Sequence, residues 1–444
     1  MERIANGRAD HVSQFYPTDY HNFDPRLGFA WDPTGKAKMT IRGGYGIVND
    51  RMATLPIEGY RSNPPLKGNV SVGLLLGTPN FTYSFGDTSK PYVGYAVDPT
   101  LQIGLDANNG LKGVRVSMQG ADPTLRTPYI QNWFLGIQRE LPGNTVLEVN
   151  YIGSAGHKLF NDINLNRFTG DLLATGTFHG LNQSFSSLTI IQTGSNSIYN
   201  GMTASLKHVF QKAFTLQGNY TFGKAIDDTD GETGSTAWQD AWNRKAERAL
   251  AGFDVRHRLN IVGVWEMPFF KSGNNFAHRV LGGWLMSGVA IMDSGTPVNV
   301  TNSAAFKLNA TKTANTGGDY NADGSGGDRP NAPTTSVETV GFSRQQFLTG
   351  VLPVADFPAP GLGMDGNLGR NVFRGPGFAQ VDVGLDKNFK VGERVNVTLR
   401  GEALNIANRP NLQSPSMDLN SVNFGKSTSQ YTARLFQVSL RIRF

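Results

Sequence analysis

The stretch RLFQVSLRIRF, residues 434–444, places apolar and polar side chains at strictly alternating positions. The apolar positions are Phe436, Val438, Leu440, Ile442 and Phe444, and the polar positions between them are Gln437, Ser439, Arg441 and Arg443. Because a β-strand directs successive side chains to opposite faces, one face of this segment is apolar and the other is polar. The stretch therefore predicts an amphipathic strand.

The same alternation recurs along the chain and predicts about eleven strands. Several of these segments run to about 9–12 residues, the length that a tilted strand needs to cross a bilayer, whereas strands of soluble proteins centre on about 5–6. The predicted strands are Phe23–Ala30, Met39–Val48, Tyr129–Glu140, Thr145–Ile152, Ile198–Phe210, Phe214–Ala225, His257–Pro268, Gly282–Val298, Phe378–Asp386, Arg394–Ala407 and Arg434–Phe444. We therefore expect an all-β fold, an antiparallel transmembrane β-barrel portion.

The predicted connections between these strands alternate in length. The short connections are Trp31–Lys38, Leu141–Asn144, Gln211–Ala213, Phe269–Leu281 and Lys387–Glu393, and the long ones are Asn49–Pro128, Gly153–Ser197, Ile226–Arg256, Asn299–Gly377 and Asn408–Ala433. Outer-membrane barrels have short periplasmic turns at one rim and long extracellular loops at the other. The alternation thus predicts an orientation with Phe444 at the periplasmic rim.

An odd number of strands raises a question about completeness. A single-chain bacterial barrel has an even number of strands with both termini in the periplasm, and an open sheet would leave backbone groups unpaired in lipid. We therefore expect residues 1–22 to be part of an extracellular loop and residues 23–444 to be the C-terminal half of a longer barrel. A missed or falsely assigned strand is the alternative explanation.

Composition narrows the classes of function. The 444 residues include no cysteine, which excludes disulfides, thiolate metal sites and cysteine nucleophiles. The net charge is +6, but lysine and arginine are dispersed rather than gathered in a run that tracks phosphates, so we expect no nucleic-acid partner. The first twenty residues, MERIANGRADHVSQFYPTDY, lack the apolar segment of a signal peptide.

Several short motifs resemble those of TonB-dependent receptors. The first is DPRLGFAWDP (24–33) followed by TIRGGYG (40–46), which resembles a hairpin of the Oar-like branch, whose members carry a carboxypeptidase-regulatory-like domain. Similar stretches are Gln131–Trp133, Tyr151–Ser154, Tyr199–Gly201, Asp254–Arg258, Gly369–Asn371 and Glu402–Asn405. The terminal Phe444 resembles the C-terminal aromatic residue by which the outer-membrane barrel assembly machinery recognises its substrates.

The resemblance implies a location, a function and partners. It implies ligand uptake across the cell outer membrane through a 22-stranded barrel in contact with outer-membrane lipid, driven by the TonB complex through a plug domain. The sequence lacks such a plug and the first half of the barrel. Siderophore, cobalamin, oligosaccharide and peptide all remain open as the ligand, and the ligand-binding residues remain unknown.

One motif in the long connection 299–377 suggests a metal. Asp319, Asn321, Asp323 and Asp328 follow the spacing DxNxDGxGxD, and oxygen side chains at alternate positions before a glycine are how a loop wraps calcium. The position expected to carry a bidentate acid holds Pro330, so the motif is not an EF-hand. A solvated acidic turn is the alternative. A calcium titration that left the protease sensitivity of the loop unchanged would exclude the metal.

The sequence offers little that suggests catalysis. The string Ile291–Thr296 matches the hydrophobic-hydrophobic-Asp-Ser-Gly-Thr motif of aspartic proteases, but that chemistry needs two carboxylates sharing a proton and no second copy exists. Trp238 and Trp242 lie in residues 237–251, which we expect to be a helix, and they would stack on a ligand or pack in the loop. We expect a receptor rather than an enzyme. The alternative is a secreted soluble all-β binding or adhesive module.

Overall fold

The fold is described from a computed structural model. It describes residues 2–5, 8–11, 19–50, 63, 106–108, 112–113, 115–210, 213–230, 238–269, 281–391 and 395–444. The strands are β1 (Glu2–Ala5), β2 (Arg8–His11), β3 (Arg26–Trp31), β4 (Met39–Asn49), β5 (Val116–Ala121), β6 (Tyr129–Leu141), β7 (Thr145–Asn164), β8 (Phe185–Phe210), β9 (Phe214–Asp227), β10 (Ala249–Leu250), β11 (His257–Glu266), β12 (Trp284–Asp293), β13 (Pro297–Val298), β14 (Phe373–Arg374), β15 (Phe378–Val391), β16 (Val395–Leu404) and β17 (Leu435–Arg443). The helical segments are α1 (Arg344–Thr349) and the 3-10 turns Asp171–Leu173, Arg244–Glu247 and Val354–Asp356.

One 13-stranded sheet dominates the structure. Eleven of its strands pair antiparallel in the order β3-β4-β6-β7-β8-β9-β11-β12-β15-β16-β17, so neighbours in the sheet are also neighbours along the chain. β10 adds to β9, and β5 runs parallel to β8. The eleven strands match the eleven predicted ones, so the all-β antiparallel prediction is confirmed. We call these eleven strands the wall, with β7 counted to residue 156 and β8 from residue 197.

The register joins like side chains across neighbouring strands. On one face Leu399 pairs with Leu440, and on the other Arg400 pairs with Ser439. The apolar face is not covered by any described element at the edge strand, where Val438 is 75% exposed. Since a one-residue slip would exchange the two faces, the alternation read from the sequence also fixes this register.

Hydrogen bonds between side chains cover the polar face of the wall. The guanidinium of Arg400 donates to Asp386 at 2.9 Å and to Glu402 at 2.7 Å. The amide of Gln217 donates to Asn219 at 3.0 Å. Part of the polar face therefore satisfies its charges and amides within the sheet.

Aromatic rings of the wall lie across glycines on adjacent strands. A Cβ atom added to Gly153 would meet the indole ring of Trp133, its partner in the register. A Cβ atom at Gly201 or Gly223 would meet the phenol of Tyr199. These glycines are explained by close ring packing rather than by a turn.

The structure corrects the prediction at several strand ends. β7 and β8 continue past the predicted limits Ile152 and Ile198 and pair as far as Asn164, after register shifts near Leu159. The alternation fades there because Ile163 and its neighbours are buried in a core instead of facing out on one side only. β12 ends at Asp293 rather than Val298, because Pro297 and Val298 leave this sheet and form the separate strand β13, which pairs with β14.

The predicted helix 237–251 is wrong for the described residues 238–251. They contain only the 3-10 turn Arg244–Glu247 and strand β10. The physical reason is tertiary, because the carboxylate of Glu247 is buried in an ion pair with a distant arginine. Among the described residues, no helix is both long enough and apolar enough to cross a membrane.

The long connections form a second region at one end of the sheet, which we call the loop layer. It comprises residues 115–128, 157–196, 294–377 and 405–434 together with the described part of 228–256. It contains two apolar cores. The first is Met118, Ile163, Phe185, Leu188 and Ile190, and the second is Val300, Leu352, Phe357, Leu368, Phe373, Met417 and Phe424. The short connections lie at the opposite end, so the alternation of loops is confirmed.

Candidate functional site

Buried arginines join separate connections of the loop layer. Arg329 follows the aspartate motif, is 4% exposed, and donates to both carboxylate oxygens of Glu247 at 3.0 and 2.8 Å. Its Nε donates to the carbonyl of Leu368. Because a bidentate pair fixes the planes of both groups, Arg329 holds three segments of the chain in one arrangement.

A second arginine network lies beside the first. Arg370 donates to the carboxylates of Asp227 and Asp230 and to the carbonyl of Glu247. Burial would raise the pKa of Asp230, but the Gly252 amide and Arg370 outweigh it and the pKa is lowered. The network is therefore held by charges that have left bulk water.

The aspartate motif folds as a loop stabilised by its own side chains. Asp319 accepts from the amides of Asp323 and Gly324 at 3.0 and 2.9 Å. Asp328 accepts from the amides of Tyr320 and Asn321 at 2.7 and 3.1 Å. Carboxylate oxygens that accept backbone N–H groups in this way explain the shape of the loop without a bound ion.

The four predicted calcium ligands Asp319, Asn321, Asp323 and Asp328 are all at most 5% exposed. Burial raises the pKa of Asp323 to about 7 and that of Asp328 to about 8. In the part of the chain that the structure describes, no group of three or more histidine, aspartate or glutamate side chains is arranged to hold a metal ion. Calcium binding therefore stays a prediction.

Two cavities lie on either side of Trp238. The first has a volume of about 180 Å³ and is lined by Trp238, Gln239, Asn299 and the arginine networks. The second has a volume of about 240 Å³ and lies between β7, β8 and the aspartate motif. Its polar lining is Asp162, Asn164, Arg167, Ser187, Thr189 and Asp323. Both volumes exceed the roughly 150 Å³ that suffices for benzene in an engineered protein cavity.

The two cavities differ in charge. In the first, Asp230 pairs with Arg370, Glu247 pairs with Arg329, and Asp228 pairs with Arg244 at 2.9 Å. In the second, two carboxylates face one guanidinium. Three acids of the first cavity therefore have arginine partners and Asp328 accepts backbone amides, whereas Asp162 in the second cavity forms no ion pair with a described residue.

The remaining predicted features lie apart from the cavities. Asp293 accepts two hydrogen bonds from Arg258, from Nε at 3.0 Å and from Nη2 at 3.1 Å. The indole N–H of Trp242 donates to the carbonyl of Arg167, and its side chain is exposed. Phe444 follows β17 and is 97% exposed, and its role as an assembly signal stays a prediction.

The sequence analysis assigned no role to the residues that hold this region together. Arg370 and Asp254 were visible only as parts of the motifs Gly369–Asn371 and Asp254–Arg258. In the structure Asp254 accepts from Arg374, and Asn371 donates to Asp230. The motifs are therefore contact residues of the loop layer. Asp162 carried no signal at all, because it lies beyond the predicted end of its strand.

Comparison with known proteins identifies the architecture. Residues 4–437 match the family described as outer membrane beta barrel domain. Among solved structures, the outer membrane transporter YddB from Escherichia coli superposes with a TM-score of 0.51 at 9% identity, over 95% of this chain and 40% of that one. No curated protein sequence matches the chain.

Two further structures are similar over the same part of the chain. A variant of the ferric enterobactin receptor PfeA from Pseudomonas aeruginosa gives a TM-score of 0.45 at 10% identity, covering 95% of this chain and 40% of that one. BauA, the ferric preacinetobactin receptor from Acinetobacter baumannii, gives 0.41 at 11% identity, covering 95% and 36%. The chain thus spans about 40% of the length of the transporter with the highest of these three scores.

Proposed function

The chain belongs to the family of outer membrane beta barrel domains, and from this premise we propose that it forms part of the barrel wall and part of the ligand-recognition surface of a TonB-dependent receptor. One observation carries the proposal. An antiparallel wall with an exposed apolar face bears, at one end only, a packed loop layer that contains two cavities. Lipid contact suits the first region and contact with an extracellular ligand suits the second.

The partners follow from the same proposal. Outer-membrane lipid would contact the apolar face, and the barrel assembly machinery would insert the strands. Energy for uptake would come from the TonB complex acting through a plug domain, which the described residues do not include. We infer that the chain is not an enzyme, and the pairing of Asp293 with Arg258 supports this because aspartic-protease chemistry needs a second carboxylate beside the first, whereas Asp293 is paired with a cation.

Orientation is the most direct test, and the absence of cysteine makes it simple. Single cysteines replace Val422, which is 91% exposed in the loop layer, and Lys36, which lies in the short connection between β3 and β4. On intact cells, an impermeant maleimide should label Val422→Cys and should label Lys36→Cys only after the membrane is opened. Equal labelling of both variants before opening would contradict the proposal.

Extraction distinguishes the receptor from the soluble alternative. The proposed chain should stay in the outer-membrane fraction through salt and carbonate washes and should leave it only with detergent. A secreted binding module would instead be monomeric and folded in plain buffer. Recovery in that form would reject the receptor.

A further inference from the structure

The cavity of about 240 Å³ beside Trp238, which we call the Trp238 cavity, carries charge that the protein does not balance. Asp162 and Asp323 line it opposite Arg167. The Oδ1 atom of Asp162 is buried and accepts no hydrogen bond from the described residues. Burial raises the pKa of this carboxyl to about 6. The Asp162 side chain is only partly buried, so a donor supplied from outside the protein can reach it and would stabilise the unpartnered carboxylate.

Two other polar groups of the cavity are already engaged. The Oδ1 atom of Asn164 accepts from the amides of Asn166 and Leu188 at 3.0 and 3.1 Å. Asp323 accepts from the amide of Ser325 at 2.8 Å through one oxygen. The Asp162 carboxylate is an anionic acceptor without a donor among the described residues, and such a group calls for a ligand that both donates hydrogen bonds and carries positive charge.

Trp238 adds an apolar surface to the same space. Its indole N–H donates to the carbonyl of Asp228 and to the hydroxyl of Thr229, each at 2.9 Å. The nitrogen is engaged in this way, and the Trp238 side chain lines both cavities. An aromatic ring beside carboxylates attracts cations, because the negative ring face and the acid charges act together.

We propose that the Trp238 cavity binds an ammonium group of a small polar ligand, with Asp162 and Asp323 as charge partners and the Trp238 ring as an apolar contact. The inference rests on the proposed function, since it assigns a ligand class to the extracellular surface of the receptor. The first cavity is the internal contrast. It offers Trp238 too, but three of its acids have arginine partners and the fourth, Asp328, accepts hydrogen bonds from backbone amides.

The test compares two probes that differ mainly in one charged group. Glucosamine and glucose are titrated calorimetrically at pH 8 into the full chain in detergent micelles, after removal of divalent ions. Glucosamine should bind about tenfold or more tightly than glucose, as a cation gains both a charge partner and the ring face. Equal binding of the two sugars would show a neutral carbohydrate site and would overturn the ammonium assignment.

Variants then locate the binding. Asp162→Asn and Trp238→Leu should each weaken glucosamine binding by about tenfold and leave the weak glucose binding within about twofold. Glu338→Gln is the matched control, because it removes one negative charge from an exposed position of the loop layer outside the cavity. If it weakens glucosamine binding as much as Asp162→Asn does, general charge attraction explains the result and the inference fails.

The outcome is separable from that of the proposed function. Cysteine labelling of Val422→Cys and Lys36→Cys reports orientation in the membrane and does not depend on any ligand. Correct labelling with no glucosamine binding rejects only the ligand class. Labelling of both positions on intact cells rejects the receptor, and with it the biological meaning of any binding in micelles.

Discussion

The wall and the loop layer are built by opposite rules. In the wall, large apolar side chains such as Leu440 remain 63% exposed and the polar face holds its own hydrogen bonds. In the loop layer, Phe185 and Phe373 are at most 1% exposed, and the buried set also includes Arg329 and Arg370. The difference reflects the solvent that surrounds each region. The apolar side chains of the wall contact lipid and need no protein core, whereas the loop layer is in water and has to bury its apolar side chains within itself.

Buried ion pairs hold the loop layer together, whereas backbone pairing holds the wall strands. Loss of one buried arginine should therefore destabilise the loop layer and leave the wall folded. Arg370→Met leaves Asp227 and Asp230 without their shared cation, and breaking a buried ion pair costs about 3–5 kcal/mol. We expect the layer to become protease-sensitive while the strands keep their heat-modifiable mobility on gels. Arg344→Met, at an exposed position, is the control and should change neither measurement.

If Arg370→Met instead unfolds the wall together with the layer, the two regions are one cooperative unit and the comparison fails. Hydrogen exchange resolved by segment would show this directly. Protection would then be lost at the same rate in β16 as in the connection 299–377.

A matched phenylalanine pair compares apolar packing in the two regions. Phe185→Ala removes a ring that is fully buried in the first core, and such truncations cost about 3–5 kcal/mol. Phe436→Ala removes a ring that is 67% exposed on the edge strand, so fewer protein contacts are lost. Denaturant titration in micelles should show the larger loss for Phe185→Ala. A reversed order would mean that the wall is packed as tightly as the layer.

The wall could be predicted from the sequence because its physics is local. Strands that face lipid on one side and a polar space on the other repeat with a period of two, and Val438, Leu440 and Ile442 display that period without any tertiary knowledge. The register followed, since apolar side chains pair with apolar ones across β16 and β17.

The site could not be predicted in the same way, because its contacts join distant parts of the chain. Arg329 and Glu247 are 82 positions apart, and Arg370 and Asp227 are 143 positions apart. No period or spacing links such partners. The aspartate motif was found because its residues are close in sequence, and its oxygens do converge on neighbouring amides, but the unpartnered Asp162 became visible only with the second cavity.

Within the wall, a glycine pair tests ring packing at finer scale. Gly153→Ala places a methyl group against the indole of Trp133 and should cost about 1–3 kcal/mol, as overpacking does. Gly218→Ala is the control, because a Cβ atom there meets no other atom within 4 Å. Folding yield in micelles and the denaturation midpoint measure both. Equal effects would mean that backbone freedom, rather than the ring, accounts for the glycines.

The smallest effect concerns pH and should again be confined to the loop layer. The pKa of Asp162 is raised by burial to about 6, above the roughly 3.9 of an unfolded chain, so the folded layer binds a proton more tightly than the unfolded one. Its contribution to stability is then fully present below pH 4 and is lost as pH rises through about 6. Arg167 and Asp323 line the same cavity. Layer proteolysis should accelerate several-fold between pH 5 and 7. Asp162→Asn should reduce that rise without abolishing it, because burial also raises the pKa of Asp323 to about 7 in the same layer, while wall mobility on gels stays constant. If the increase of the proteolysis rate with pH is unchanged in the variant, another group causes the pH response. The Asp162 carboxylate would then have a stabilising partner in the folded layer.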